Sequence, residues 1–280
     1  MNLKDTAKSI NQRLSNLSKK RGVPFPYIVT EFLIERLLAR LIENPKLNEN
    51  LIFKGGFVAL KLYESKRYTV DLDALSRKIP QEKLSEEIKS AVQHNLGDSV
   101  WFNFQETVDL KTQGEYGGIR FVFRAGIGEP LKDLKRAQVL HLDIGSGDPV
   151  TPEPLKVTLK NMLSTGELTW LVYPIETMIA EKLHALMSRL EFNSRSKDIM
   201  DLSLLLPQAD SKTLKKAIER TFHYRELEVP VDFGSALESI DLSILRKGWK
   251  KATASVPQAL SFDDAFKKML SEVKKKLSPE

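Results

Sequence analysis

Apolar positions return every three or four residues over the first part of the chain, the period of helices that each bury one face. From Asp5 to Lys20 they form a thin edge (Ala7, Ile10, Leu14, Leu17) on a polar, basic segment, which Gly22-Val23-Pro24 stops. From Tyr27 to Glu43 the stripe is broad. Val29, Leu33, Leu37 and Leu41, with Ile34 and Leu38 beside them, require a core to face, and Asn44-Pro45 ends the helix. The period then changes. Leu51 to Lys54 leads into Gly55-Gly56, and a helical run follows from Phe57 to Tyr63. Tyr68 to Leu75 reads as a strand in which Val70, Leu72 and Ala74 alternate with Thr69, Asp71 and Asp73. A helix is expected over Gln81 to Leu96, then strands over Val100 to Phe104, Ile119 to Arg124, Val139 to Ile144 and Leu155 to Leu159. Beyond Pro174 only helical patterns remain, over 175–190, 196–206, 211–222 and 262–277.

Strands and helices mixed in this order predict an α+β (α/β) fold: a mixed sheet domain with flanking helices, and a C-terminal helical domain. The boundary is expected near 160–174, giving residues 1–165 and 166–280. A chain of 280 residues with 41% hydrophobic and 29% charged residues can bury an ordinary core, so disorder is excluded as its main state. The absence of cysteine removes disulfides, thiolate nucleophiles and Cys-ligated zinc. Four histidines without a pair at helical spacing make a His-built zinc site unattractive. A formal charge of +6 permits a polyanionic partner without requiring one. No window approaches the ~20 apolar residues of a membrane span, and the first residues carry no apolar leader. A cytoplasmic protein with no membrane association is expected.

The segment FKGGFVALKLYESKRYTVDLDAL concentrates the chemistry. Gly55 and Gly56 lie between a strand and a helix, where backbone can approach a phosphate and the helix N-terminus favours an anion. Asp71 and Asp73 are alternate strand residues, so both carboxylates project from one face while Leu72 takes the other. Side-by-side carboxylates repel one another unless a hard cation such as Mg²⁺ sits between them. The plainer alternative is a strand end with solvated acids. Asp143 is a candidate third acid, since Leu140, Leu142 and Ile144 define the buried face of its strand and leave Asp143 and His141 opposite. It too could simply close a strand before the turn at 145–148. On the helix from Ile175, Lys182 falls inside the apolar stripe and Arg189 at its edge; on the next helix Asp198 points inward, with Asp201 one turn later. A buried lysine must pair with an acid or face an anion. A Lys182–Asp198 bridge and a nucleotide contact are both open.

These residues together resemble the AbiEii/AbiGii-type toxin nucleotidyltransferases, a branch of the polymerase-β-like superfamily that includes the MenT toxins. The resemblance runs from about Tyr27 to Leu206. It rests in order on residues 54–56 (KGG), 67–73 (RYTVDLD), 142–148 (LDIGSGD), and 181–183 (EKL) followed by 197–202 (KDIMDL). The resemblance implies a nucleotidyltransferase-type sheet domain in which Asp71 and Asp73 bind Mg²⁺ (or Mn²⁺) with Asp143 as third acid. It implies that Gly55 and Gly56 form the phosphate-holding turn, that Lys182 contacts the incoming NTP, and that Asp198 is a further active-site acid. It assigns Thr69 and Arg67 to the phosphates. Relatives usually carry Thr or Ser after the glycine pair; here Phe57 stands there, so that hydroxyl is missing.

The leading expectation is an Mg²⁺-dependent nucleotidyltransferase, the toxin of a toxin–antitoxin pair, that moves a nucleotide from NTP to RNA, in particular the 3′ end of tRNA. A cognate antitoxin is the implied protein partner. Lys19, Lys20 and Arg21 and the strand residues Arg120 and Arg124 are candidate guides for an RNA backbone. Two other readings stay open: a non-catalytic nucleotide- or RNA-binding module that regulates a partner, and a transferase acting on a protein or small-molecule acceptor.

Overall fold

The fold was analysed in a computed structural model, which describes residues 3–110, 117–188 and 195–278. It is the mixed α/β class expected. The helix Leu3–Arg21 (α1) is followed by Phe25–Glu43 (α2) and the short Pro45–Asn50 (α3), whose first N–H groups are capped by the Asn44 side chain. Strand Leu51–Lys54 (β1) runs directly into helix Gly55–Leu62 (α4), so the helix starts at the glycines and not after them. Then come Asp71–Ser76 (β2), Gln81–Gln93 (α5), Val100–Asp109 (β3), Gly118–Ile127 (β4), Gln138–Ser146 (β5), Leu155–Lys160 (β6) and Glu167–Val172 (β7). The remainder is helical: Ile175–Ser188 (α6), Ser196–Leu205 (α7), Ser211–Tyr224 (α8), Phe233–Glu238 (α9), Ser243–Ala252 (α10) and Phe262–Leu277 (α11). Arg189 and Leu190, expected on the helix from Ile175, lie outside the described residues.

All seven strands form one sheet in the order β3-β4-β5-β2-β1-β7-β6. Its centre is β5-β2-β1, with β2 parallel to β5 and antiparallel to β1. The apolar face is made by alternate residues: Leu72 on β2, Phe121 and Phe123 on β4, Leu140 and Leu142 on β5, all fully buried. α2 packs on α1, α5 and the sheet, and burial extends well beyond its apolar stripe to Glu31, Glu35, Arg36 and Arg40. These charges are tolerated because they are paired. Arg40 forks onto both oxygens of Asp98 at 2.8 and 2.9 Å and donates to the Val100 carbonyl, while Glu31 takes Arg21 at 2.7 Å.

Two compact units divide the chain. The first holds residues 1–57, 68–147 and 155–172, and the second holds 58–67, 148–154 and 173–280. This division is interleaved along the chain, where a single boundary near 160–174 is expected from the sequence. β7 belongs with the sheet because it pairs in parallel with β1 through Ile52–Leu171 and Phe53–Val172. Residues 58–67 join the helical unit, where the Tyr63 hydroxyl donates to the Tyr173 carbonyl. No helix among the described residues is long and apolar enough to cross a membrane.

Candidate active site

In the first unit the site is built by strand register. Asp73 on β2 is the direct neighbour of Asp143 on β5, and Asp71 of His141. In-register residues of adjacent strands present their side chains on the same face. Asp71, Asp73 and Asp143 therefore share the face opposite Leu72 and Leu142. Asp73 is in turn the register partner of Lys54 on β1, and Asp143 that of Arg120 on β4. Across four strands one row reads Lys54, Asp73, Asp143, Arg120: two acids flanked by two cations.

Each acid has a distinct neighbour. The Asp71 carboxylate accepts from His141 Nδ1 at 2.8 Å, which fixes that ring proton on Nδ1. Asp73 lies against Gly55, whose φ is +77°; a Cβ built there would stand 2.0 Å from Asp73 Oδ2. The glycine is thus required twice, by its left-handed backbone and by the carboxylate it admits. Asp143 is gripped by Arg120, with Nε on Oδ1 and Nη2 on Oδ2, both at 2.7 Å. The hydrogen-bonded Asp143 carboxylate raises the Arg120 guanidinium above its ordinary pKa against the lowering by burial, and Asp71 and Asp73 add to that pull. Arg120 therefore feels all three acids.

Among the described residues, no three His, Asp or Glu side chains are arranged to enclose a metal ion. The donors nevertheless fit a hard divalent cation at Asp71 and Asp73, two oxygen ligands on one face of β2. Asp143 differs, because its charge is already matched by Arg120.

Other expected residues have the following surroundings. Thr69 Oγ1 lies 3.3 Å from the amide and from the carbonyl of Asp71, forming a local turn at the start of β2. Phe57 is fully buried, its ring 6.0 Å from Trp170, so this position packs the core. Arg124 donates to the Ala137 carbonyl at 3.2 Å, and Arg21 to Glu31, so the expected row of RNA guides is largely committed to the protein itself. Lys19 and Lys20 are exposed.

The second unit holds its own charged cluster. Lys182 Nζ donates to Asp198 Oδ1 and to Asp201 Oδ2, each at 2.7 Å. Arg67 forks onto both oxygens of Asp201 at 2.9 Å, and this partner was not foreseen from sequence. All four residues are buried or nearly so. Burial alone would push the Asp201 carboxyl up, yet Arg67 and Lys182 overcome it and hold the group below the usual carboxylate range. Burial likewise opposes the charge on Lys182, but Asp198 and Asp201 raise its pKa. Asp198 Oδ2 is buried without a hydrogen-bond partner, with Arg195 Nη1 3.8 Å away. The Lys182–Asp198 bridge weighed from sequence is thus present, and it is one link of a four-residue network.

The mixed sheet carrying an Asp-x-Asp strand beside a glycine turn is that of a nucleotidyltransferase. Two solved structures share the fold. JHP933 from Helicobacter pylori aligns over 90% of this chain and 92% of its own, with a TM-score of 0.52 and 17% identity. A second H. pylori chain, described as a nucleotidyltransferase, aligns over 90% and 97% with the same TM-score and 18% identity. At such identities the likeness is one of fold. No curated protein matches the chain. The family of the nucleotidyl transferase AbiEii toxin, of type IV toxin–antitoxin systems, matches residues 36–269, and the chain belongs to it.

Proposed function

We propose that this chain transfers a nucleotide from an NTP to RNA, at the 3′ end of tRNA, in an Mg²⁺-dependent reaction, and that an antitoxin restrains it in the cell. The observation that carries the reading is the strand register. It sets Asp71, Asp73 and Asp143 on one face of two adjacent strands, with Gly55 making room for Asp73. Family membership supplies the toxin role and the antitoxin partner.

Asp71 and Asp73 would hold the Mg²⁺ or Mn²⁺, with Asp143 as third acid beside them. When bound, a divalent cation there lowers the charge on the transferring phosphoryl group and makes a hydroxyl oxygen a better nucleophile. The N–H groups at the start of α4, at Gly55 and Gly56, would receive phosphate oxygens at the positive end of the helix. The acceptor's 3′ oxygen attacks the α-phosphorus; a new P–O bond forms as the bond to the pyrophosphate oxygen breaks, and the hydroxyl proton is lost to solvent. His141 orients Asp71 through its Nδ1–H. Lys182 and Asp198, paired with each other in the second unit, keep the nucleotide-contact and acid roles that the family resemblance implies. Arg67 serves by holding Asp201, and Thr69 by shaping the backbone before Asp71.

The test is incubation of the full chain with each radiolabelled NTP, Mg²⁺ and total RNA. Label is expected on RNA of tRNA size, and Asp71→Asn should lower transfer by about 10²-fold or more while leaving the circular dichroism spectrum unchanged. Label on protein alone would move the reading to a protein acceptor. Nucleotide binding with no transfer under Mg²⁺ or Mn²⁺ would leave a binding module. Undiminished transfer by Asp71→Asn would remove Asp71 from the site.

A further inference from the structure

The row Lys54–Asp73–Asp143–Arg120 sets Asp143 apart from the other two acids. Asp143 and Arg120 are cross-strand neighbours on antiparallel strands, where Cβ atoms come close enough for a short fork to form without stretching the long arginine side chain. Both oxygens of Asp143 are engaged, at 2.7 Å each, by one planar guanidinium. Such paired, charge-assisted bonds are among the stronger polar contacts a partly buried site contains. The pair is shielded, with side-chain exposures of 32% for Arg120 and 17% for Asp143. Asp71 instead accepts at one oxygen from the His141 Nδ1–H. A cation entering this face can recruit Asp143 only by displacing a guanidinium that already forks onto both of its oxygens.

We propose that Arg120 is a positioning residue that competes with divalent cations for Asp143, so that the acid cluster takes one divalent cation tightly and a second only weakly. This rests on the reading that Asp71 and Asp73 are metal ligands. The fixed charge of Arg120 stands where a second cation would otherwise be drawn, and it holds the Asp143 oxygens in place between turnovers. A guanidinium cannot lose its proton in the working pH range, so the competition is constant.

The experiment is a titration of the full chain with Mn²⁺ alone, followed by electron paramagnetic resonance of free Mn²⁺ and by calorimetry. The wild type is expected to bind one Mn²⁺. Arg120→Met, which keeps the length and loses the charge and donors, should tighten binding about tenfold or bring a second Mn²⁺ into range, the scale of losing one charge-assisted contact to Asp143. Adding Asp143→Asn to Arg120→Met should erase that gain, whereas Asp143→Asn alone should change wild-type binding by less than about threefold. Arg120→Lys keeps the charge and should stay near wild type. Two tight Mn²⁺ in the wild type, or Mn²⁺ binding unchanged in Arg120→Met, would overturn the competition while leaving Asp71 and Asp73 as ligands. A large loss of affinity in Asp143→Asn alone would do the same, and it remains informative if Arg120→Met fails to fold. No Mn²⁺ binding by the wild type would overturn both the competition and the metal reading beneath it; loss of binding in Asp71→Asn with one site in the wild type identifies the reading as sound.

Discussion

Gly55 is the position where one added carbon has the largest consequence for the site. Its φ of +77° lies in the left-handed region, which costs an L-residue about 1–2 kcal/mol. The Cβ of an alanine would overlap Asp73 Oδ2, so the carboxylate must also turn away. Gly55→Ala is expected to lower stability in urea by about 1–2 kcal/mol. If Asp73 is a metal ligand as proposed, it should also lower nucleotide transfer by about 10²-fold, because a ligand displaced by an ångström loses alignment. Gly145→Ala is the matched control. A Cβ there meets nothing within 4 Å, and stability should hold within about 0.5 kcal/mol. Equal behaviour of the two variants would show that the glycine is needed for neither reason. The glycine pair and both β2 acids could be read from sequence because each is a local signal. The reason for Gly55 could not, because Asp73 meets it only through strand pairing.

At the scale of elements, alternation and helical period located every strand except one. β7 carries its own alternation, with Leu168, Trp170 and Val172 inward, but it lies where the helical half was expected to begin. Its place is decided by parallel pairing with β1, more than a hundred residues earlier in the chain, and no local pattern encodes that. β2 begins at Asp71 and not at Tyr68, because Thr69 turns the backbone just before it. The helices α9 and α10 were also passed over; they are short, six and ten residues. The charged cluster joining α6, α7 and the segment before β2 was half legible. Lys182 and Asp198 stand out inside apolar stripes, whereas Arg67 sits in a polar stretch that looks solvated. The cluster's arithmetic makes a clear prediction. Asp201→Asn takes from Arg67 its bidentate carboxylate and from Lys182 one of its two acids, and weakening the compensation of buried charge is expensive. A loss of about 3–5 kcal/mol in urea unfolding is expected, against a far smaller one for the exposed pair partner Asp263→Asn. Equal losses would mean that Asp201 bears no special electrostatic burden.

For the whole molecule, the response of stability to acid separates groups that act over different pH ranges. His184 on α6 is buried, packs edge-on to Phe222 with ring centroids 5.3 Å apart, and has no hydrogen-bond partner at Nε2. Burial, followed by the Arg225 guanidinium, pushes its pKa down to about 4, opposed by a hydrogen bond with the Arg225 backbone and, less, by Glu181. Arg225 is itself held by Asp148 at 2.9 Å and Glu181 at 3.3 Å, so its charge stays in place. In the unfolded chain the imidazole regains its ordinary value of about 6.5 and takes up a proton that the folded state refuses. Stability conferred by the neutral ring is therefore complete above about pH 6.5 and lost as pH falls toward 4, by an amount on the order of 2–3 kcal/mol. Asp201 does not interfere in that interval. Its folded pKa is depressed, so its contribution persists there and declines only as pH drops below the ordinary carboxylate value of about 4. Urea unfolding followed by circular dichroism at about pH 7 and about pH 4.5 should show the wild type losing stability on acidification. His184→Leu, which keeps an apolar side chain against Phe222 and cannot be protonated, should lose markedly less over the same interval. Parallel losses in the two proteins would place the acid sensitivity on other groups.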